Sequence, residues 1–187
     1  SNYSPGVRLL FGDLVVTSDS GEELVRRLRR LEASPQQAAL LRLAGLRKVM
    51  QEHTYQDRLA FVAGQLRGRP LGRLLPDITV TAYAKNQAQW ASLWQSYRQQ
   101  VYPHKRLLVV MPDGFCPDPG EAGHDPSVRR VNALDLAGSA VSEWVDQHGW
   151  IAGMVPDDHY GHHYLTDLAL ATRYAGTLLV GKGSHAV

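Results

Sequence analysis

Cysteine is nearly missing. Cys116 stands alone in 187 residues, so no internal disulfide framework can form, and the chain suits a reducing cytosol. Long hydrophobic runs are missing too. No stretch approaches the roughly 18 uncharged apolar residues that cross a bilayer. No basic start leads into an apolar core and a small-residue cleavage site of the kind that directs secretion. Together these absences predict a cytoplasmic protein. Charge of one sign is also scarce: 20 Lys and Arg stand against 18 Asp and Glu, a formal net charge of +2. That excess is too small to argue for a nucleic-acid partner. There is no internal repeat, no G-x-S-x-G, no phosphate-loop lysine motif and no G-x-G-x-x-G. What remains is 44% apolar and 20% charged, ordinary for a globular protein. The length suits one domain or one and a half. The chain starts at Ser1 without a methionine and stops two residues after a histidine, which reads as a fragment.

The first third reads as helix. Ser20 with Glu23 has capping-box spacing, and Leu24, Val25, Leu28 and Leu31 then share one face. Ser34-Pro35 is a cap followed by proline at the first helical position, where its missing N–H costs nothing. Ala39, Leu40, Leu43, Leu46, Val49 and Met50 form the expected buried stripe of that helix. Thr54 with Asp57 is a third cap, before Leu59, Val62 and Ala63. Ahead of these, Val7 to Thr17 predicts short strands or turns. Residues 67–76, RGRPLGRLLP, hold two Gly, two Pro and three Arg and form the best domain boundary. The organisation expected is a helical segment over 1–66, a linker over 67–76 and a second domain over 77–187.

Beyond the linker the pattern becomes strand–helix alternation. Ile78 to Ala82 is a β-branched run. Asn86 caps a helix with Trp90, Leu93, Trp94 and Tyr97 on one face, a spacing of buried core rather than a stacking platform. Leu107 to Met111 is a continuous apolar strand of the kind buried on both sides in a parallel sheet. Val128 to Val131 predicts a strand, Leu134 to Gln147 a helix, and Trp150 to Val155 a strand. Tyr164 to Tyr174 then predicts a helix, and Thr177 to Val180 a last strand. The fold class is α/β, a parallel sheet with flanking helices preceded by a mostly helical segment.

In such sheets ligands bind outside the carboxyl ends of the strands. That selects Thr81 to Lys85, Asp113, Asp157-Asp158 and Lys182. A hydroxyl, a lysine and acids at one rim suit a nucleotide with Mn²⁺ or Mg²⁺, cations that take carboxylate oxygens plus substrate phosphates. Asp113 also reads as a plain turn residue between Pro112 and Gly114. His159, His162 and His163 offer a rival zinc site. Adjacent imidazoles at 162 and 163 diverge on any regular element, however, and no H-E-x-x-H is present. A third reading is a polar loop capping the next helix. Arg26, Arg27, Arg29 and Arg30, with Arg42, Arg47 and Lys48, read as a solvated face rather than a nucleic-acid surface. Cys116 has no activating base near it in sequence.

The segment ITVTAYAKNQAQWASLWQSYRQQVYPHKRLLVVMPDG (78–114), with its Q-x-Y-P-x-K step, resembles the opening of a family 2 glycosyltransferase of the GT-A fold. GWIAGMVPDDHYGHHYLTDLALATRYAGTLLVGKGSH (149–185) resembles the segment that holds the family's D-x-D metal motif, in the type that builds surface polysaccharides. The resemblance implies a partial GT-A-like sheet whose nucleoside contacts would fall on Thr81, Ala82, Lys85 and Asp113. It places Asp157, with Asp158 beside it, on Mn²⁺ or Mg²⁺. The family's first motif aspartate falls on Val155, which cannot ligate. The catalytic base and acceptor site would lie beyond Val187. The donor implied is a nucleotide-diphosphate sugar (UDP, GDP or dTDP), and the acceptor a glycan within membrane-associated polysaccharide machinery. The first 65 residues, through E-H-T-Y-x-x-R-L, are similar to the C-terminal end of CgeB-like group 1 glycosyltransferases of the GT-B fold, which implies scaffold only. Together the halves resemble the junction of a longer tandem glycosyltransferase. The alternative is a non-catalytic scaffold or nucleotide-binding fragment between catalytic domains.

Overall fold

The computed structural model describes residues 4–72, 75–118, 120–146 and 148–181. The chain divides into two compact units, Ser1–Gly72 and Arg73–Val187.

The first unit is helical. α1 (Pro5–Phe11), α2 (Gly21–Glu32), α3 (Pro35–Glu52) and α4 (Tyr55–Arg67) follow in order, with a tight 3₁₀ turn at Gly12–Leu14. The strands or turns expected over Val7 to Thr17 are thus corrected to α1 and its turn. The physical reason is Ser4-Pro5, the same cap-then-proline signal as Ser34-Pro35, and Gly12, whose φ of 57° ends the helix. Ser20 caps α2 by accepting from the Glu23 N–H at 3.4 Å, but the capping box is not completed. The Ser20 N–H donates instead to Ser18 Oγ at 3.2 Å. Ser18 Oγ in turn donates to the Glu23 carboxylate at 2.9 Å. That bond, with Arg27 next, holds the Glu23 carboxyl below its usual range. At α4 the box is complete. Thr54 Oγ1 accepts from the Asp57 N–H at 3.3 Å and Asp57 Oδ2 accepts from the Thr54 N–H at 3.0 Å. Gly68, at φ 65°, closes α4 with the Arg69 N–H bonded back to Gly64 O at 3.1 Å. The chain folds so tightly over Gly64 that a Cβ there would meet Arg69 O at 3.2 Å.

The stripe expected to be buried on α3 is not. Leu40, Leu43, Leu46 and Val49 are all exposed, Leu40 by 60%. No apolar side chain is buried among the described residues of this unit, so amphipathic spacing forms the helix without supplying a core.

The second unit is built on a parallel sheet. β1 (Ile78–Tyr83), β2 (Lys105–Met111), β3 (Val128–Asn132) and β4 (Trp150–Met154) lie in the order β3-β2-β1-β4 among the described residues. α5 (Gln87–Arg98) follows β1, α6 (Ala133–Leu136) follows β3 and α7 (Tyr164–Ala171) follows β4. Register sets Ala82 of β1 beside Val109 of β2 and Met154 of β4. Alternation along each strand sends one set of side chains to each face. On one face Val80, Ala82, Leu107, Val109, Ala152 and Met154 pack with Trp90, Leu93 and Tyr97 of α5 and Leu165 and Ala169 of α7. Each fully buried side chain of that size contributes about 1.5–3 kcal/mol. On the other face a smaller cluster of Leu108, Val131 and Val145, with half-buried Trp144, covers the β2–β3 side.

Three expectations are corrected here. The helix over Leu134 to Gln147 is only α6 and a 3₁₀ turn at Val141–Glu143. Gly138, at φ 86°, breaks it, and Ser139 Oγ turns back to Leu136 O while accepting from the Trp144 indole at 2.7 Å; Gln147 lies outside the described residues. The helix expected to reach Tyr174 ends at Ala171 and continues as a turn. Thr177 to Val180 is not a strand: Leu178 is 99% exposed, and Thr177 Oγ1 bonds forward to Leu179 O. No helix among the described residues is long and apolar enough to cross a membrane.

Candidate functional site

All four strands run parallel, so their carboxyl ends share one rim. The chain moves from β1 outward through β2 to β3 and then returns to the other side of β1 for β4. The switch in strand order therefore lies between β1 and β4, where a parallel sheet opens a crevice. Lys85 leaves the end of β1, Asp113 the end of β2, and Asp157 and Asp158 the end of β4. Since β2 and β4 flank β1, the two acidic turns issue from strands about 10 Å apart.

All but one of the residues singled out in the sequence fall among the described residues. Thr81 sits inside β1 on the face away from α5, its Oγ1 3.5 Å from Ala152 O of β4. The Ala82 side chain is buried in the core, so contact with a ligand would be through its main chain. Lys85 is exposed, and its N–H donates to Gln89 Oε1 at 2.9 Å, next to the Asn86 cap of α5. Asp113 lies in the Pro112–Phe115 turn, where Gly114 takes φ 76°. Its Oδ1 accepts from Asn132 Nδ2 at 3.1 Å, which draws it toward the end of β3. Thus it is both a turn residue and a rim acid. Lys182 lies outside the described residues.

The β4 turn is the most closely tied part of the rim. The Asp158 N–H donates to Val155 O at 3.2 Å, closing a turn over Pro156 and Asp157. Ser92 Oγ of α5 donates to Pro156 O at 2.6 Å. Tyr160 Oη accepts from the Val155 N–H at 2.9 Å and lies 3.4 Å from Asp158 Oδ2. The Tyr160 ring packs on Tyr164 at 4.8 Å, and Tyr164 Oη donates to Gly153 O at 3.2 Å. Burial pushes both phenols above their usual range, with the amide bond from Val155 partly opposing at Tyr160. The segment after the turn is pinned by Gln100, which is buried. Gln100 Nε2 donates to Gly161 O at 3.1 Å and Oε1 accepts from the Leu165 N–H at 3.2 Å. His159, His162 and His163 are all exposed on this segment. Among the described residues no group of three or more His, Cys, Asp or Glu side chains is placed to hold a metal. Any cation here would take its remaining ligands from substrate or water.

Sequence reasoning gave no role to Tyr160, Tyr164 or Ser92, and none to Gln100 beyond its place in the Q-x-Y-P-x-K step. The i, i+4 spacing of the two tyrosines was the available signal. The Q-x-Y-P-x-K step has a plain structural role. Gln100 anchors the loop into α7, Tyr102 Oη donates to Pro76 O, and Lys105 Nζ donates to Gln100 O.

Residues 1–64 match a family model described as glycosyl transferase-like. That match supports sugar transfer in general, and with it a sugar donor and an acceptor as partners. It falls on the helical unit and leaves the sheet uncovered. No curated protein matches the chain.

Proposed function

We propose that the second unit is the donor-binding part of a glycosyltransferase, a GT-A-like sheet that holds a nucleotide-diphosphate sugar (UDP, GDP or dTDP) at its carboxyl rim. The observation that carries this reading is the strand order β3-β2-β1-β4, with an acid-bearing turn on the strand beside β1 at the switch point. The glycosyl transferase-like match over residues 1–64 of the same chain supports it.

The donor set suits a hard cation. No described residue engages the Asp157 carboxylate, which is exposed, and carboxylate oxygen with phosphate oxygen is the ligand set that Mn²⁺ or Mg²⁺ prefers. Asp157, with Asp158 beside it, would hold the ion. Bound there, it would neutralise charge on the leaving diphosphate as the sugar passes to an acceptor hydroxyl of a glycan. Thr81 and Lys85 on the β1 side, and Asp113 on the β2 side, would orient the nucleoside and its phosphates. Binding of UDP by the full chain, measured calorimetrically with and without Mn²⁺, tests this. Wild type should bind more tightly with the metal and Asp157→Ala should lose that gain. Equal binding in all four conditions overturns the reading.

A further inference from the structure

We propose that Tyr160 is a positioning residue of the donor site, fixing the backbone of the Val155–Asp158 turn so that Asp157 is the carboxylate presented to the cation. This rests on the reading above, in which the acids of this turn meet the metal. The turn is tied at three points. The Asp158 N–H closes it on Val155 O at 3.2 Å, Ser92 Oγ holds Pro156 O at 2.6 Å, and Tyr160 Oη takes the Val155 N–H at 2.9 Å. The same phenol oxygen reaches Asp158 Oδ2 at 3.4 Å. The short bond is the one to the amide and the long one the contact to the carboxylate, so Tyr160 acts first on the backbone and only secondarily on Asp158.

The two neighbouring acids are therefore not equivalent. Asp158 faces a phenol that already occupies one of its oxygens, whereas the Asp157 carboxylate has no partner among the described residues. Tyr160 is itself held in place. Its ring packs on Tyr164 at 4.8 Å, and Tyr164 is bonded to Gly153 O of β4. Removing only the phenol oxygen leaves that ring packing intact. Partners that orient a ligating side chain without touching the metal typically alter metal affinity 10–100-fold.

The experiment titrates Mn²⁺ into the full chain with UDP present, reading free Mn²⁺ by electron paramagnetic resonance. UDP binding without metal and the thermal midpoint are measured beside it. Tyr160→Phe should weaken Mn²⁺ about tenfold while leaving metal-free UDP binding unchanged. Asp157→Asn should abolish Mn²⁺ binding, and Asp158→Asn should weaken it less than Asp157→Asn does. Ser92→Ala loosens the same turn from α5 and should weaken Mn²⁺ in the same direction, a second handle if Tyr160→Phe does not fold. Wild-type affinity in Tyr160→Phe and Ser92→Ala, with Asp157→Asn dead, overturns this inference and spares the reading of the site. Asp158→Asn as damaging as Asp157→Asn overturns the assignment of Asp157. Wild-type Mn²⁺ binding in Asp157→Asn, or none in the wild type, overturns the reading of the site itself.

Discussion

The two units reach their secondary structure by different means. In Ser1–Gly72 the four helices carry caps, proline starts and apolar stripes, yet Leu9, Leu40, Tyr55, Phe61 and Leu66 are exposed and no apolar side chain is buried among its described residues. In Arg73–Val187 shorter helices with fewer such signals close over one face of a sheet, where Val80, Ala82, Leu107, Val109, Ala152 and Met154 are buried. Charge follows the same division. Residues 1–72 hold eleven Lys and Arg against seven Asp and Glu, and the remainder nine against eleven. A helix is thus specified locally, by caps and spacing, but a core needs a second surface to face. In proteins most helical stability comes from tertiary packing rather than propensity, and among the described residues only the sheet unit buries apolar side chains.

The sharpest way to break this contrast is truncation. Leu93→Ala in the sheet unit should lose about 2–5 kcal/mol, whereas Leu66→Ala in the helical unit should change stability by no more than about 0.5 kcal/mol. Urea unfolding curves compare them, and equal losses would show that the helical faces are packed after all.

An alkaline titration sharpens the contrast further. Burial pushes the Tyr97 phenol from 10.0 up to about 12, with its bond to Ser127 opposing. A folded-state value above the unfolded one means that stability is fully present below pH 10 and is lost as pH rises through about 12. That loss should approach roughly 2–3 kcal/mol. Lys105, lowered by burial, acts in the opposite sense and only below its unfolded value of 10.5, so above that value the loss comes from the raised phenols, Tyr97 foremost with Tyr160 and Tyr164 beside it. Unfolding midpoints should fall there in wild type and fall less steeply in Tyr97→Phe.

A smaller loss than those at Leu93 and Tyr97 belongs to the helical unit. Thr54→Ala removes one half of the capping box at α4 and should cost about 1 kcal/mol, read as a loss of helical circular dichroism on mild heating. If the cost is near zero, local caps do not sustain this unit either.

How much was legible in the sequence follows from the same division. The caps at Ser20, Thr54 and Asn86 were readable because each is set by residues three apart. The continuous apolar run of β2 announced a doubly covered strand. The α3 stripe was misread as buried because spacing says which residues share a face and nothing of what lies opposite. The helix expected through Leu134 to Gln147 failed at Gly138-Ser139, whose turn chemistry outweighed the apolar spacing. Of the candidate site residues, Asp113, Asp157 and Asp158 are among those that the rule of strand ends singles out. The tethers on them, from Asn132, Ser92 and Tyr160, depend on contacts 19, 64 and 2–5 residues apart in sequence. The first two leave no local pattern to read.

The sheet has two outermost strands of unlike character. β3 carries Arg129 and Arg130, and β4 carries Trp-Ile-Ala-Gly-Met without a single charge. Lining a margin with cations is a common means of discouraging another strand from annealing there. Among the described residues, then, the charge that discourages annealing stands on the β3 flank, and β4 carries none of it.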